Sequence, residues 1–283
     1  MPGIRVVADS SVCLPRELIA KYNIELVPET IIFGTTIYRD GVDLVPSEFY
    51  VKLGQAKELP TTSAPSPQDF IDSFQRVAKS ADSIACILVS SGFSHMGLQA
   101  ALTARESFAE VPMEIMDSRT AVGAYGFVVL AAAKAAAACK SLPDVLKVAQ
   151  DVQKRVNLIL TLDTLKYLAK GGRIGKAAQW AGTMLSIKPI LEVPNTTGAI
   201  EPLERVRSRP KAIRRLLELM QERVRGRLHV SIDHANVPEE AGHLKSQISS
   251  LFDCTEIFIN DWAPVAGVHC GPGVIGVSFY SED

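Results

Sequence analysis

Short apolar runs alternate with amphipathic stretches along the whole chain. Runs at residues 4–8, 25–27, 83–89, 113–116, 157–162, 187–193, 228–232, 256–259 and 274–279 predict strands. Several are continuous and β-branched, as expected where both faces of a sheet are covered. Between them lie helical patterns. Ser66 followed by Pro67 reads as an N-cap with proline in the first turn. Leu142-Pro143-Asp144 opens a second helix that runs to about Val156. Pro210 opens a third, with Ile213, Leu216, Leu217 and Met220 on one face. This alternation predicts an α/β protein with mainly parallel, doubly wound sheets.

The most apolar stretch, residues 121–138, is built mainly of alanine and glycine and is interrupted by Lys134. A membrane-spanning helix needs about 20 strongly apolar residues. The stretch therefore predicts a buried helix packed closely on its neighbours. The pattern changes near Val156, where a long helical section ends and a fresh series of strands begins. That places two α/β domains at 1–156 and 157–283.

Composition narrows the function. The chain has 283 residues, of which 47 % are apolar and 22 % charged, so a large core is expected and extensive disorder is not. The formal net charge of -1 provides no global field for nucleic acid. Cys13, Cys86, Cys139, Cys254 and Cys270 are scattered, with no C-x-x-C pair, which argues against a disulfide framework or a zinc site. Free thiols and the lack of a signal-peptide pattern lead to the expectation of a cytoplasmic protein. Without a coiled-coil signal, a monomer is expected.

Ligands of open α/β sheets bind beyond the carboxyl ends of the strands. Those positions hold Asp9-Ser10-Ser11, Ser90-Ser91-Gly92-Phe93-Ser94-His95 and Asp117-Ser118. Thr61-Thr62-Ser63-Ala64-Pro65-Ser66 adds a further hydroxyl loop before a helix. Hydroxyls and helix N–H groups suit the oxygens of a carboxylate or phosphate. Taken singly, each segment is better explained by helix capping, but capping alone does not need doubled and tripled hydroxyls in all four.

Together these segments resemble the DegV family, as do Lys170-Gly171-Gly172-Arg173-Ile174, His269-Cys270-Gly271-Pro272-Gly273, Tyr38-Arg39-Asp40-Gly41, Phe49-Tyr50 and Arg207 with Lys211-Ala212. The resemblance spans essentially the whole chain. It implies two α/β domains enclosing a long-chain fatty acid between them, with no further cofactor and no bound metal. It also implies a non-catalytic subunit that presents the fatty-acid carboxylate to an ATP-dependent fatty acid kinase, with no nucleic-acid partner and no stable membrane insertion. By motif, Thr62, Ser94 and His269 hold the carboxylate, and Arg173 and Arg207 mark the mouth or the kinase docking surface. Ser63 and His95 are additional candidates. His95 stands where the family usually has a small residue. Apolar candidates for the acyl chain are Phe33, Phe93, Tyr125, Phe127, Trp180, Met184 and Leu185, each of a type more often found as plain core.

Three rival chemistries are visible in the residues. Ser94, Asp261 and His269 follow the chain order of an α/β-hydrolase triad, but Met96 occupies the second glycine of the nucleophile elbow. Lys170–Lys176 is glycine-rich and basic but lacks the Ser or Thr of a phosphate-binding loop. Arg205, Arg207, Arg209, Lys211, Arg214 and Arg215 form a basic run without aromatic residues, flanked by Glu201, Glu204, Glu218 and Glu222, which suits a solvated helix face better than nucleic acid.

Overall fold

The computed structural model describes residues 3–183 and 187–282. Strand β1 (Gly3–Asp9) leads through helix α1 (Arg16–Lys21) to β2 (Glu25–Val27). A small hairpin follows, β3 (Thr30–Phe33) and β4 (Thr36–Arg39), then α2 (Pro46–Gln55) and β5 (Thr61–Ser63). Helix α3 (Pro67–Ala78), β6 (Ala81–Leu88), α4 (His95–Glu106) and β7 (Met113–Asp117) precede two consecutive helices, α5 (Val122–Ala137) and α6 (Leu142–Arg155). The remainder comprises β8 (Asn157–Thr161), α7 (Lys166–Lys170), a 3-10 segment (Gly175–Thr183), β9 (Lys188–Glu192), β10 (Glu201–Val206), α8 (Arg209–Arg223), β11 (Leu228–His234), α9 (Pro238–Leu251), β12 (Cys254–Asp261), α10 (Pro264–Cys270) and β13 (Ile275–Ser281).

All nine strands anticipated from the apolar runs form, with ends within two residues of the expected ones. The helix starts also hold. Ser66 and Asp69 form a reciprocal capping box at α3, and the Ser141 hydroxyl caps α6. The additional strands β3, β4, β5 and β10 are short or largely polar, so apolar patterning does not mark them.

The strands form three sheets. Four, in the order β2-β1-β6-β7, are all parallel, as expected of βα repeats. The six-stranded sheet, β10-β9-β8-β13-β11-β12, differs from the expectation of mainly parallel strands. Only β11 and β12 run parallel, while the other four pairings are antiparallel. In β8, β11 and β13 the continuous apolar runs reported burial on both faces correctly, but burial does not encode strand direction. The third sheet, β4-β3-β5, is antiparallel.

Helix α5 lies between the two larger sheets. It packs against β1 and β6 of one and β8, β11 and β13 of the other. Its N-terminal half, Val122–Leu130, is buried on every side, while Lys134 and Ala137 near its C-terminal end are exposed, and no described helix is long and apolar enough to cross a membrane. Gly123 and Gly126 allow the close approach. A Cβ on Gly123 would stand 2.2 Å from an Asp233 carboxylate oxygen, and one on Gly126 would stand 2.4 Å from the Cys13 carbonyl oxygen. The Gly123 N–H donates to Asp233 at 3.1 Å, so the positive end of the helix meets a buried acid on β11. Tyr125, fully buried, ties the helix to the parallel sheet. Its hydroxyl donates to the Ile87 carbonyl and accepts the Asp9 N–H.

Replacing Gly123 with Ala is expected to destabilise the protein by about 1–3 kcal/mol, the usual cost of overpacking a tight contact. The midpoint of urea unfolding at neutral pH measures it. An unchanged midpoint would show that the α5–β11 contact relaxes freely.

Candidate functional site

A cavity of about 650 Å³ opens at the N-terminal end of α5 and takes its walls from both halves of the chain. Its size is that of a small-molecule site, about 300–1,000 Å³. The apolar wall includes Val122 at the start of α5, Leu158 and Leu160 on one face of β8, Val193 and Ile200 beside β9 and β10, and Trp262 before α10. Of the aromatic and aliphatic candidates from the sequence, Phe93 lines this cavity. Phe33, Tyr125, Phe127 and Trp180 are absent from its walls, and Met184 and Leu185 fall outside the described residues. Leu158 and Leu160 were legible in principle, because alternate residues of a strand share a face.

Polar groups gather at one part of the wall: Thr62 from β5, Ser94 at the start of α4, Arg173 from the loop after α7, and His269 from α10. Most hydroxyls of the strand-end loops are engaged elsewhere. Ser10 donates to Asp40 and Ser11 to Asp9. Ser66 caps α3, Ser90 donates to the Gly198 carbonyl, Ser91 to Asp117, and Ser118 to the Thr120 carbonyl. Helix capping and loop ties therefore account for these. Ser63 is exposed and donates to the Ala64 carbonyl.

Ser94 is different. It occupies the N-cap position of α4, yet its hydroxyl makes no capping bond and has no hydrogen-bond partner among the described residues. Its backbone is held by the Ser90 carbonyl. Gly97 keeps the space beside the hydroxyl open, since a Cβ there would lie 2.8 Å from Ser94 Oγ. Gly92 brings this loop against the other half of the chain, where a Cβ would meet the Gly198 carbonyl at 2.5 Å.

Thr62 Oγ1 and His269 Nε2 are 2.9 Å apart. His269 Nδ1 is buried without a partner, facing Gly171, whose missing Cβ would lie 2.2 Å from it. Gly171 is thus required small for this contact as well as ending α7; the left-handed backbone of the turn falls on Gly172. Burial, with the Arg173 charge adding to it, lowers the His269 pKa to about 4, so the ring is neutral at pH 7. A neutral ring carries one N–H. An orphan buried N–H costs more than an orphan lone pair, which favours the proton on Nε2. His269 then donates to Thr62, leaving the Thr62 O–H free to donate into the cavity.

Arg173 is half-buried. Its Nε donates to the Phe93 carbonyl at 3.2 Å and Nη1 to the Gly171 carbonyl at 2.8 Å. Among the described residues no carboxylate lies within ion-pair distance of it, so its charge is uncompensated beside the cavity. Arg207 does not join this group. It is exposed just past β10 and lines no part of the cavity. His95 is exposed in the first turn of α4 and lines the cavity, so it borders the opening rather than blocking the interior.

Two of the rival chemistries find no matching geometry. Asp261 lies 3.8 Å from His234, not beside His269, and His269 bonds Thr62 instead of Ser94. A Ser-His-Asp relay is therefore not assembled. In the basic run, Arg209 pairs with Glu240, Arg214 with Glu218, and Arg215 with Glu204, Glu218 and Glu222, while Arg205 lies over Trp180. Glu29, on the cavity wall, was not anticipated from the sequence, while Ser11, also on the wall, belongs to a strand-end hydroxyl loop already named. Glu29 carried no motif signal; Ser11 did, but as part of a capping segment.

His269 sets a pH dependence. Its pKa is lower folded than unfolded, so the unfolded chain binds more protons between about pH 4 and 6.5. The associated stability is full above pH 6.5 and is lost as pH falls towards 4. Comparing urea midpoints at pH 7 and pH 5 for the native chain and His269→Gln should show the smaller acid loss in the variant. Equal losses would mean that His269 does not titrate this way.

Comparison with known proteins agrees with this architecture. Residues 3–282 match the family model described as "Uncharacterised protein, DegV family". Protein DegV of Bacillus subtilis is 32 % identical over 97 % of this chain and 98 % of its own length. A DegV domain-containing protein of Streptomyces coelicolor is 32 % identical over 97 % of both chains. Among solved structures, a DegV family protein from Thermus thermophilus, studied for fatty acid binding, superposes with a TM-score of 0.92 at 28 % identity, covering 99 % of this chain and 100 % of that one. DegV from Bacillus subtilis, a fatty acid binding protein, gives a TM-score of 0.90 at 30 % identity over the full length of both chains. A whole-chain family match, relatives at this identity and a shared fold lead to one conclusion: this chain belongs to the DegV family.

Proposed function

We propose that this protein holds a long-chain fatty acid in the cavity beside α5 and presents its carboxylate to a partner fatty acid kinase, without itself catalysing a reaction. The observation that carries the reading is the junction of an apolar cavity with unspent donors, the Ser94 hydroxyl and the Thr62 hydroxyl backed by His269, beside an uncompensated Arg173. Fatty acid binding by the DegV proteins of Thermus thermophilus and Bacillus subtilis supports it. In this reading residues 1–156 and 157–283 act as two domains that share the ligand.

The energetics are favourable. At about 0.8 kcal/mol per buried CH₂, a 16-carbon chain contributes roughly 10 kcal/mol before ordering costs. A carboxylate drawn into the cavity needs donors, and bonds to an ionised acceptor are the stronger class. Ser94 and Thr62 each supply one, His269 orients the second, and Arg173 supplies charge. A neutral His269 avoids burying a second cation next to Arg173. Arg207, exposed and outside the cavity, fits the docking surface for the kinase rather than the ligand.

Extraction of the purified protein followed by mass spectrometry is expected to yield a near-stoichiometric long-chain fatty acid, or the stripped protein to take up added palmitate or oleate. A protein that carries none and takes up neither overturns the reading. Ser94→Ala is expected to weaken palmitate binding about tenfold while leaving the unfolding midpoint near that of the native chain. Arg207→Ala should leave palmitate affinity unchanged and slow acyl phosphate formation by an added kinase subunit. Unaltered phosphorylation would remove Arg207 from the docking surface.

A further inference from the structure

Glu29 lies between β2 and β3, and it lines the cavity together with Thr62, Ser94 and Arg173. It is 7 % exposed. Its backbone is pinned on both sides: its N–H donates to Ser10 Oγ at 3.0 Å, and its carbonyl accepts the Asp40 N–H at 2.8 Å. Its carboxyl, by contrast, has no hydrogen-bond donor and no ion-pair partner among the described residues. Asp9 and Asp40, the acids nearest to it in the protein's interior, each receive side-chain hydrogen bonds, although one Asp40 carboxylate oxygen, Oδ1, is buried without a partner among the described residues. Asp9 accepts the Val89 N–H and the Ser11 N–H, and Asp40 accepts the Ser10 hydroxyl. Of the three, only Glu29 has a carboxyl with no hydrogen bond at either oxygen among the described residues, and only Glu29 lies on the wall of the cavity that already gathers donors for an anion. An ionised acid there would be buried, unpaired and repelled by the ligand.

We propose that Glu29 is a proton-carrying ligand group: as a neutral carboxylic acid it donates its O–H to the carboxylate of the bound acyl chain, so that ligand and Glu29 share one proton. The inference rests on the fatty-acid reading and deepens it. Two carboxyl groups held close cannot both ionise, and a shared proton joins them by a short charge-assisted bond. The groups facing Glu29 agree with a neutral form. Asp9 at the end of β1 and Asp40 after β4 both oppose its ionisation, while Arg173 from the loop after α7 favours it. Burial together with Asp9 and Asp40 outweighs Arg173 and pushes the Glu29 carboxyl well above the usual carboxylate range. His269 on α10 is neutral at pH 7, and His95 at the first turn of α4 is exposed at the opening.

The sign of the effect follows. Below its pKa Glu29 is a donor; as pH rises through that value it becomes a second anion, and affinity for an acyl carboxylate falls. The limit is tenfold per pH unit. Gln at this position keeps a donor of the same size that does not titrate. Met keeps the bulk and removes the donor.

The test uses delipidated full-length protein, native, Glu29→Gln and Glu29→Met, with palmitate affinity measured at pH 6.5, 7.5, 8.5 and 9.5. The ionisation of palmitate itself cancels in the ratio of native to Glu29→Gln affinity at each pH. That ratio should fall severalfold as pH rises across this range, by no more than tenfold per pH unit. At pH 6.5 Glu29→Met should bind palmitate about tenfold more weakly than the native chain, yet bind 1-hexadecanol, which has no carboxylate, within twofold of it. A ratio that stays constant with pH, or a Glu29→Met affinity equal to native, overturns the role of Glu29 while leaving the fatty-acid reading intact. Failure of the native protein to bind palmitate at any of these pH values overturns both.

Discussion

A helical stretch with no polar face must be covered on every side, and the first nine residues of α5, Val122–Leu130, impose that constraint on the whole molecule. Before Lys134 its run of alanine, valine and glycine leaves nothing to turn towards water, so one sheet cannot satisfy it. The parallel sheet covers one side and the six-stranded sheet the other. Small residues let both come close, at Gly126 against the Cys13 carbonyl and at Gly123 against Asp233. The N-terminal end of the helix then emerges where the two sheets part. There Ala121 and Val122 meet Val89 beyond β6 and Leu158 and Leu160 of β8, and the cavity forms between them.

The polar side of that cavity is defined by what its loops spend and what they keep. Ser10, Ser11, Ser66, Ser90, Ser91 and Ser118 all satisfy carboxylates, carbonyls or helix N–H groups of the protein itself. Each such bond is an ordinary requirement of buried polar atoms. Ser94 occupies a capping position without capping, and Thr62 is engaged only by a neutral histidine. Donors kept unspent beside an apolar wall, with Arg173 lacking an acidic partner, suit an amphipathic anion. Hydrolytic chemistry would need His269 on Ser94 and an acid on His269, and the fold supplies neither.

Three buried acids near this site show how environment divides one residue type into different roles. Asp9 fastens the ends of β1 and β6 and the Tyr125 hydroxyl. Asp40 fastens the turn after β4 to Ser10, and burial raises its pKa to about 7. Glu29 fastens nothing with its carboxyl, and that vacancy of partners, on a cavity wall, separates it from the other two.

By itself the sequence determined the alternation of strands and helices, the burial of most of α5, and the starts of α3, α6 and α8; family resemblance singled out Thr62, Ser94, Arg173 and His269, which the fold gathers on one cavity wall. These are legible because periodicity and capping are local: they depend on residues a few positions apart. The tertiary structure alone decided the antiparallel course of most of the second sheet, because a strand buried on both faces reads the same in either direction. It decided which hydroxyls remain free, since Ser90 and Ser94 look alike until Gly198, from more than a hundred residues away, claims one of them. It also set Arg207 apart from the cavity. Glu29 is the clearest case. In sequence it is one acid beside a short strand, and its isolation exists only because Ser10 and Asp40 pin its backbone while no donor reaches its side chain.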